Sequence, residues 1–299
     1  MRALREFCVS SHIVGLWDAP LSLYSSFRIG GRADALLFPA NEEELSRLLV
    51  FLSNEKICFR VIGNATNLLF SDEGYRGALV TTRHMRSLSQ DGNGVRSAAG
   101  VSLNDLIRFS SERGLCGMEA LYGIPGTVGG ALYMNAGAFG AEISSFLSFV
   151  NVWDKSVLQM RVLKSESCGF GYRESAFSAN GDWVILSATF HLERGTREKS
   201  RALMHEFLKK RQERQPLAFP SAGSVFRRPE GHYVGALVER AGLLGKRIGN
   251  AAVSEKHGGF IVNLGGATAK DVLALVALIK KEIYERFGVA LALEIEYIE

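Results

Sequence analysis

The sequence has few cysteines, few prolines and no long apolar run. Its 299 residues include four cysteines, none of them in a CxxC pair, so the pattern supports neither a cysteine zinc site nor dithiol chemistry. No stretch reaches the roughly 18 consecutive apolar residues that a membrane-spanning helix needs. The N-terminal segment, from Met1 to Pro20, lacks the unbroken apolar core of an export signal. These absences predict a cytoplasmic protein without membrane insertion.

Neither sign of charge dominates the composition. The chain has 35 Lys and Arg against 31 Asp and Glu, which gives a net charge of +4 and a pI near 8.9. Because the basic residues are dispersed and largely matched by acids, we expect no nucleic-acid partner. A content of 47% hydrophobic and 22% charged residues, with 32 glycines and six prolines, excludes disordered and collagen-like proteins.

Several familiar active-site motifs are also missing. No GxGxxG follows a predicted strand, and the one Gly-Lys pair, at residues 245–246, lacks the rest of a phosphate-binding loop. The chain contains no GxSxG and no HExxH, and its six histidines are isolated. Dinucleotide-binding domains of the Rossmann type, serine hydrolases and zinc enzymes are therefore not supported, and we expect no metal.

Apolar periodicity predicts three α+β lobes. Leu45, Leu48, Leu49 and Leu52 form one helical stripe, between predicted strands at residues 35–39 and 59–62. Other helices are predicted to begin at Ser102 and at Thr268, and an alternating strand is predicted over residues 289–298. A chain of this length is near the upper limit for a single core. We expect lobes at residues 1–84, 85–196 and 197–299.

Two glycine-rich segments stand out from the rest of the chain. One is the turn over residues 63–67, directly after a predicted strand, and the other has six glycines and no charged residue within residues 123–140. Backbone N–H groups in such segments can converge on a phosphate, and glycine permits positive φ and close approach to a ligand. Tight packing between strands would use glycine equally well. The residues alone leave both interpretations open, although two such segments favour a ligand.

Six segments in order carry a family resemblance. They read SFRIGG at 26–31, GNATNLL at 63–69, GIPGTVGGALYMNAGAFG at 123–140, FGYRES at 170–175, PSAGSVFRRP at 220–229 and VSEKHGGFIVN at 253–263. In order and spacing the chain resembles the UDP-N-acetylenolpyruvoylglucosamine reductase family, in its shorter form. The resemblance implies an FAD-binding fold of the vanillyl-alcohol-oxidase (PCMH-type) kind in lobes 1–84 and 85–196. It makes residues 197–299 a C-terminal α+β substrate-binding domain.

The resemblance also implies a reaction and a flavin site. The reaction is the NADPH-dependent reduction of the enolpyruvyl ether of UDP-N-acetylglucosamine enolpyruvate to UDP-N-acetylmuramate, a step of peptidoglycan precursor synthesis, with FAD as cofactor. The residues that it assigns to FAD are Gly63, Asn64, Ala65, Thr66, Asn67, Ile124, Pro125, Gly126, Thr127 and Gly130. The chain departs from the family at Ala65-Thr66, where Gly-Ser is usual.

Three residues match the family's catalytic positions. Hydride addition to the alkene leaves negative charge that spreads into the neighbouring carboxylate, so the site needs a cation there and a proton donor. The resemblance assigns the carboxylate to Arg173 and Glu296, and proton donation to Ser224. Without it, Arg173 is also consistent with a surface ion pair with Glu174, and a serine that follows glycine is more often a turn residue. Strand alternation does not distinguish Glu294 from Glu296, and only the motif selects Glu296.

Substrate contacts and competing functions complete the sequence predictions. Arg228 and Lys256 lie inside matched motifs and are the expected cations for the UDP-sugar diphosphate. We expect a monomer or weak dimer. A flavin-dependent oxidase or dehydrogenase of the same fold with another substrate is the alternative enzyme, and a non-catalytic nucleotide-binding module is the alternative outside enzymes.

Overall fold

The computed structural model describes all 299 residues and shows a mixed helix and strand architecture. The α-helices are α1 (Arg2–Ser10), α2 (Glu42–Asn54), α3 (Leu103–Glu112), α4 (Val128–Tyr133), α5 (Ala176–Ala179), α6 (Arg197–Arg214), α7 (Val234–Arg240) and α8 (Ala269–Phe287). The strands are β1 (Val14–Pro20), β2 (Arg32–Phe38), β3 (Phe59–Ile62), β4 (Leu68–Phe70), β5 (Tyr75–Thr81), β6 (Leu88–Asp91), β7 (Gly94–Ala98), β8 (Leu115–Cys116), β9 (Gly137–Ala138), β10 (Ala141–Glu142), β11 (Leu147–Asp154), β12 (Gln159–Lys164), β13 (Trp183–His191), β14 (Glu193–Arg194), β15 (Arg247–Ile248), β16 (Ala251–Val253), β17 (Ile261–Asn263) and β18 (Glu296–Ile298). None of the helices is both long and apolar enough to cross a bilayer.

The chain forms two compact units, each built from three separate segments. Unit 1 contains Met1–Trp17, Ala35–Asn64 and Gly77–Lys210, and unit 2 contains Asp18–Asp34, Ala65–Arg76 and Arg211–Glu299. The predicted α+β fold class is confirmed. The three lobes with limits at residues 84/85 and 196/197 stay a prediction.

The main sheets have four and five strands. In the four-stranded sheet the order is β1-β2-β5-β3, and β3 pairs in parallel with β5. The five-stranded sheet has the order β12-β11-β13-β7-β6 and its paired strands run antiparallel. The core of unit 1 includes the four leucines of the α2 stripe, all fully buried as the 3.6-residue periodicity predicts. Asn41 caps this helix by accepting a hydrogen bond from the Glu44 N–H.

The core of unit 2 is built around α8. Its buried face includes Val272, Leu275 and Ile279. The helix begins in a capping box between Thr268 and Asp271 and ends at Gly288, whose φ of +67° suits glycine. Both helix ends therefore follow from local sequence.

The segment at residues 26–31 also belongs to the core of unit 2. Phe27 and Ile29 are buried there, and the Asn263 side chain donates to the Phe27 carbonyl oxygen over 2.9 Å. The amide oxygen of Asn263 accepts the N–H groups of Gly265 and Ala267. One buried asparagine thus joins an early and a late segment of the chain.

The predicted closing strand is too long. Residues 289–298 were expected to form one strand, but regular pairing is confined to β18 and an isolated bridge joins Phe226 to Leu293. The partner of β18 is β4, which it pairs in parallel with Glu296 opposite Leu68. Alternating hydrophobicity predicts an extended backbone, but the length of a strand depends on a partner that the local pattern does not contain.

Candidate flavin and substrate sites

The two glycine-rich segments contact each other within unit 1, at Gly63 and Thr127. A Cβ atom on Gly63 would lie 2.4 Å from the Thr127 hydroxyl oxygen, so only glycine fits there. The Thr81 hydroxyl donates to the Gly63 carbonyl oxygen over 3.0 Å. Buried Thr127 caps α4, and its hydroxyl oxygen accepts the Gly130 N–H at 3.2 Å. The sequence predicted Gly63, Thr127 and Gly130 as site residues but gave no sign of Thr81.

The second segment is also anchored to the chain before α3. Its Val128 and Gly129 N–H groups donate to the carbonyl oxygens of Val101 and Ala99 at 2.8 and 2.9 Å. A side chain on Gly129 would meet the Ala99 Cβ at 2.9 Å. Gly126 has a φ of +126°, which L-amino acids rarely adopt. Tight packing therefore explains the glycine at 129. The glycine at 126 is explained by its positive φ, which other residues rarely adopt.

The turn at residues 63–67 contains an unusual alanine. Ala65 is buried with a φ of +50°, in the left-handed region that favours glycine. Its carbonyl oxygen accepts both the N–H and the hydroxyl of Ser26, each at 3.3 Å. The Ser26 hydroxyl also donates to the Ser221 carbonyl oxygen at 2.7 Å. Hydrogen bonds from Ser26 to the Ala65 carbonyl oxygen therefore help to hold Ala65 in this left-handed conformation.

The donor chemistry of the two segments fits FAD. Neither segment carries an acidic side chain that would repel a diphosphate. Ala65 and Gly126 adopt positive φ, so both segments contain the sharply turned backbone that is typical of anion-binding turns. The residues present are therefore compatible with a flavin dinucleotide.

Arg173 lies in unit 1 on a tight turn with a φ of +55°. Gly171 and Glu174 close the turn through a reciprocal pair of backbone hydrogen bonds of 3.0 and 3.2 Å. The Arg173 guanidinium donates from Nη2 to the Gly137 carbonyl oxygen at 2.9 Å, and from Nη1 to the Asn135 carbonyl oxygen at 3.4 Å. The half-buried arginine is thus bound to the end of the second glycine-rich segment, an arrangement that sequence spacing did not predict.

Ser224 and Glu296 lie in unit 2, on chain segments that are hydrogen-bonded side by side. Ser224 forms a bridge with Phe260, and the next residue, Val225, accepts the Glu294 N–H at 2.8 Å. The Glu296 N–H donates to the Asn67 carbonyl oxygen at 3.0 Å. Ser224 and Glu296 are both half-buried.

Asn67 completes this network. Its side-chain amide donates to the Glu294 carbonyl oxygen at 3.0 Å, in addition to the bond between its own carbonyl oxygen and Glu296. Three segments that the sequence predicts to be functional, which contain Asn67, Ser224 and Glu296, therefore meet inside one unit.

The two predicted substrate cations are exposed residues of unit 2 with different surroundings. The Arg228 guanidinium lies 3.9 Å from the centre of the Tyr233 ring, and the Lys256 ammonium donates to the Gln212 carbonyl oxygen at 2.5 Å. The hydroxyl oxygen of Ser254 accepts the N–H groups of Lys256 and His257 and so fixes their turn.

His257 supports the same turn. Burial lowers the pKa of its imidazole, which favours the neutral ring. Its Nδ1 accepts the Gly259 N–H at 3.1 Å. The His257 ring therefore helps to hold this turn through the bond to the Gly259 N–H.

Known families and proteins match both parts of the chain. An FAD-binding domain family matches residues 33–157, and the family of UDP-N-acetylenolpyruvoylglucosamine reductase C-terminal domains matches residues 215–298. A UDP-N-acetylenolpyruvoylglucosamine reductase from Caldicellulosiruptor bescii is 43% identical over 97% of this chain and 92% of its own length. One from Clostridium beijerinckii is 40% identical over 93% of this chain and 91% of its own.

A solved structure agrees with these matches. The crystal structure of the UDP-N-acetylenolpyruvylglucosamine reductase from Thermus caldophilus superposes with a TM-score of 0.81 and 33% identity, and the match covers 96% of this chain and 99% of that one. The family resemblance predicted from the six segments is confirmed. The chain belongs to the UDP-N-acetylenolpyruvoylglucosamine reductase family of FAD-dependent oxidoreductases.

Proposed function

We propose that Ser224, Arg173 and Glu296 carry the family's reaction in this chain, the reduction of UDP-N-acetylglucosamine enolpyruvate to UDP-N-acetylmuramate for peptidoglycan synthesis. FAD is the cofactor and NADPH the reductant. The observation that carries the proposal is the network in unit 2, where hydrogen bonds hold the segments of Ser224, Glu296 and Asn67 side by side.

The flavin would be held by the two glycine-rich segments. Backbone N–H groups of residues 63–67 suit its diphosphate, and residues 124–130 suit the ring system. When bound, FAD supplies hydride transfer, from NADPH and then to the terminal alkene carbon of the substrate. The close contact between Gly63 and Thr127 supports this proposal, because it brings the two segments together.

Arg173 and Glu296 act on the substrate carboxylate. Negative charge moves into this group as the alkene is reduced, and the planar guanidinium can bind both oxygens as the charge grows. Backbone carbonyls already orient the Arg173 head, which reduces the entropy lost on binding. As the neutral acid, Glu296 would donate a hydrogen bond to the same carboxylate, from a backbone position held by the bond to the Asn67 carbonyl oxygen.

Ser224 delivers the proton. Its hydroxyl donates to the carbon that bears the ether oxygen and the carboxylate, where the carbanion forms. Backbone pairing at Ser224 with Phe260, and at Val225 with Glu294, fixes the backbone that carries this hydroxyl. Arg228 and Lys256 would bind the diphosphate of the UDP-sugar as exposed cations.

Anaerobic half-reactions test this function. The purified holoenzyme is bleached with NADPH, and UDP-N-acetylglucosamine enolpyruvate is then added while the flavin absorbance is followed. We expect the oxidised band to return with one equivalent of substrate. Recovery with oxygen alone would instead support a flavin oxidase with another substrate, and a protein that binds no flavin would contradict the assignment.

Cellular context adds further proposals. The spacing of the cysteines favours the cytoplasm as the location, and dispersed charge favours a protein without a nucleic-acid partner. A monomer or weak dimer and the absence of a metal also stay predictions. Sedimentation and metal analysis of the purified holoenzyme would test the last two.

A further inference from the structure

We propose that Asn135 is a positioning residue for Arg173, holding both the turn that carries the arginine and the guanidinium itself. The inference deepens the proposed function, on which it rests, because it assigns a new residue to the placement of the substrate carboxylate. It is carried by the hydrogen bonds around Asn135, all of them within unit 1.

Asn135 is fully buried and every polar atom of its side chain is used. Its amide nitrogen donates to Glu142 Oε2 and to the Gly171 carbonyl oxygen, both at 2.9 Å. Its amide oxygen accepts the Ser144 N–H at 3.3 Å. A carboxylate and a carbonyl can only accept, while an N–H can only donate, so the partners themselves determine the orientation of the amide.

Asn135 contacts both the turn that carries Arg173 and the Arg173 guanidinium. Its side chain holds Gly171, one of the two residues that close the Arg173 turn. Its backbone carbonyl oxygen accepts the guanidinium at 3.4 Å, next to the bond that Gly137 accepts. A movement of Asn135 therefore displaces the base of the turn and the guanidinium together.

The backbone of Asn135 is specialised as well. Its φ of +45° lies in the left-handed region, where asparagine is found more often than other non-glycine residues. Glycine would keep this backbone and remove only the side chain, so Asn135→Gly isolates the side-chain bonds. Asn135→Asp keeps the shape but places a carboxylate against Glu142 and the Gly171 carbonyl, which repel it.

The test compares the two half-reactions in flavin-loaded variants. For Asn135→Gly and Asn135→Asp we expect flavin content and bleaching by NADPH to stay within about twofold of wild type. Reoxidation by UDP-N-acetylglucosamine enolpyruvate should slow by about ten- to a hundredfold, since a small misplacement of a binding group has effects of this size. In Asn135→Asp/Glu142→Gln, a glutamine amide can donate to the new carboxylate, so part of the lost rate should return.

Two controls make the result decisive. Leu158, in the β11–β12 turn, is also a non-glycine residue with a left-handed φ, of +53°. Leu158→Gly makes the same kind of substitution away from Arg173 and should leave both half-reactions unchanged. Arg173→Lys tests the proposed function independently. If it slows substrate-driven reoxidation while both Asn135 variants keep the wild-type rate, the inference about Asn135 is overturned and the proposed function stands.

Two further outcomes would also count against the proposal. Equal slowing of both half-reactions with loss of flavin from the Asn135 variants would show a purely structural role and overturn it. A wild-type rate in Arg173→Lys and Arg173→Gln would remove the proposed role of the arginine, and with it the basis of the inference.

Discussion

The two units hold their proposed catalytic side chains by different means. In unit 2, Ser224 and Glu296 sit on extended backbone whose N–H and C=O groups pair with neighbouring segments. In unit 1, Arg173 lies on a left-handed turn that depends on side-chain bonds and on a guanidinium bound by two carbonyl oxygens. Backbone pairing does not depend on side-chain identity, so substitutions at Ser224 should change chemistry alone. The position of Arg173 should change when a residue that hydrogen-bonds to its turn is substituted.

The largest effect is expected at Ser224. Ser224→Ala removes the proton donor but leaves the backbone bridge to Phe260, so the fold and NADPH oxidation should stay unchanged. Substrate-driven flavin reoxidation should fall by about 10²–10⁴-fold, the range for loss of a general acid. Stopped-flow absorbance under anaerobic conditions measures both steps. A wild-type rate of reoxidation would contradict the assignment of Ser224.

Arg173→Lys is the matching experiment in unit 1. Lysine keeps the charge but lacks the planar fork, and it cannot donate to the Asn135 and Gly137 carbonyl oxygens from the same geometry. We expect a rate of reoxidation by substrate about 10²-fold lower, with bleaching by NADPH unaffected. If the lysine variant keeps the wild-type rate, a positive charge alone is sufficient to bind the substrate carboxylate. The geometry of the Arg173 turn then does not matter for catalysis.

Gly63→Ala tests the contact between the glycine-rich segments. The new methyl group would lie 2.4 Å from the Thr127 hydroxyl oxygen, so one of the segments must move. We expect a loss of about 1–3 kcal/mol in the free energy of unfolding, together with weaker FAD binding. Chemical denaturation and flavin fluorescence measure the two effects. Gly181→Ala is the control, since its Cβ would meet no atom within 4 Å and Gly181, like Gly63, has no left-handed φ.

The smallest effect is expected at the start of α8, away from the proposed catalytic residues. Hydrogen bonds from Thr268 hold the pKa of the Asp271 carboxyl below its ordinary value. A lowered pKa in the folded state stabilises unit 2 above the unfolded pKa of about 3.9, and this stabilisation is lost as the pH falls through the folded value.

Asp271→Asn should remove that acid dependence. The variant should be less stable than wild type near neutral pH by about 0.5–1 kcal/mol, and the two should converge at low pH. Denaturation at a series of pH values measures the difference. Half-reaction rates should not change, because the backbone pairing of Ser224 and Glu296 does not include this helix end.

Local signals in the sequence were enough for the starts of two helices and the buried face of a third. The sequence predicts the caps at Ser102 and Thr268 and the apolar stripe of α2, because each signal lies within a few residues of the helix end or face that it defines. For the turn at Gly63 the sequence left ligand binding and tight packing open; the structure shows packing against Thr127, and the role in ligand binding stays a prediction.

What the sequence did not predict depends on distant partners. The extent of β18 is set by β4, and the carbonyl oxygens that bind Arg173 come from Asn135 and Gly137, well before it in the chain. Asn135 gave no signal of its own, since an asparagine among glycines is equally typical of a plain turn. Only the three-dimensional hydrogen bonds distinguish it.

The parallel pairing of β18 with β4 has a consequence for synthesis of the protein on the ribosome. All segments of unit 1 precede Arg211, so that unit can form its contacts while the rest of the chain is still being made. The Ala65–Arg76 segment of unit 2 contains β4, whose partner strand Glu296–Ile298 is made long after it. Pairing across so long a loop is slow, so we expect β4 to find its partner only after unit 1 has formed its contacts.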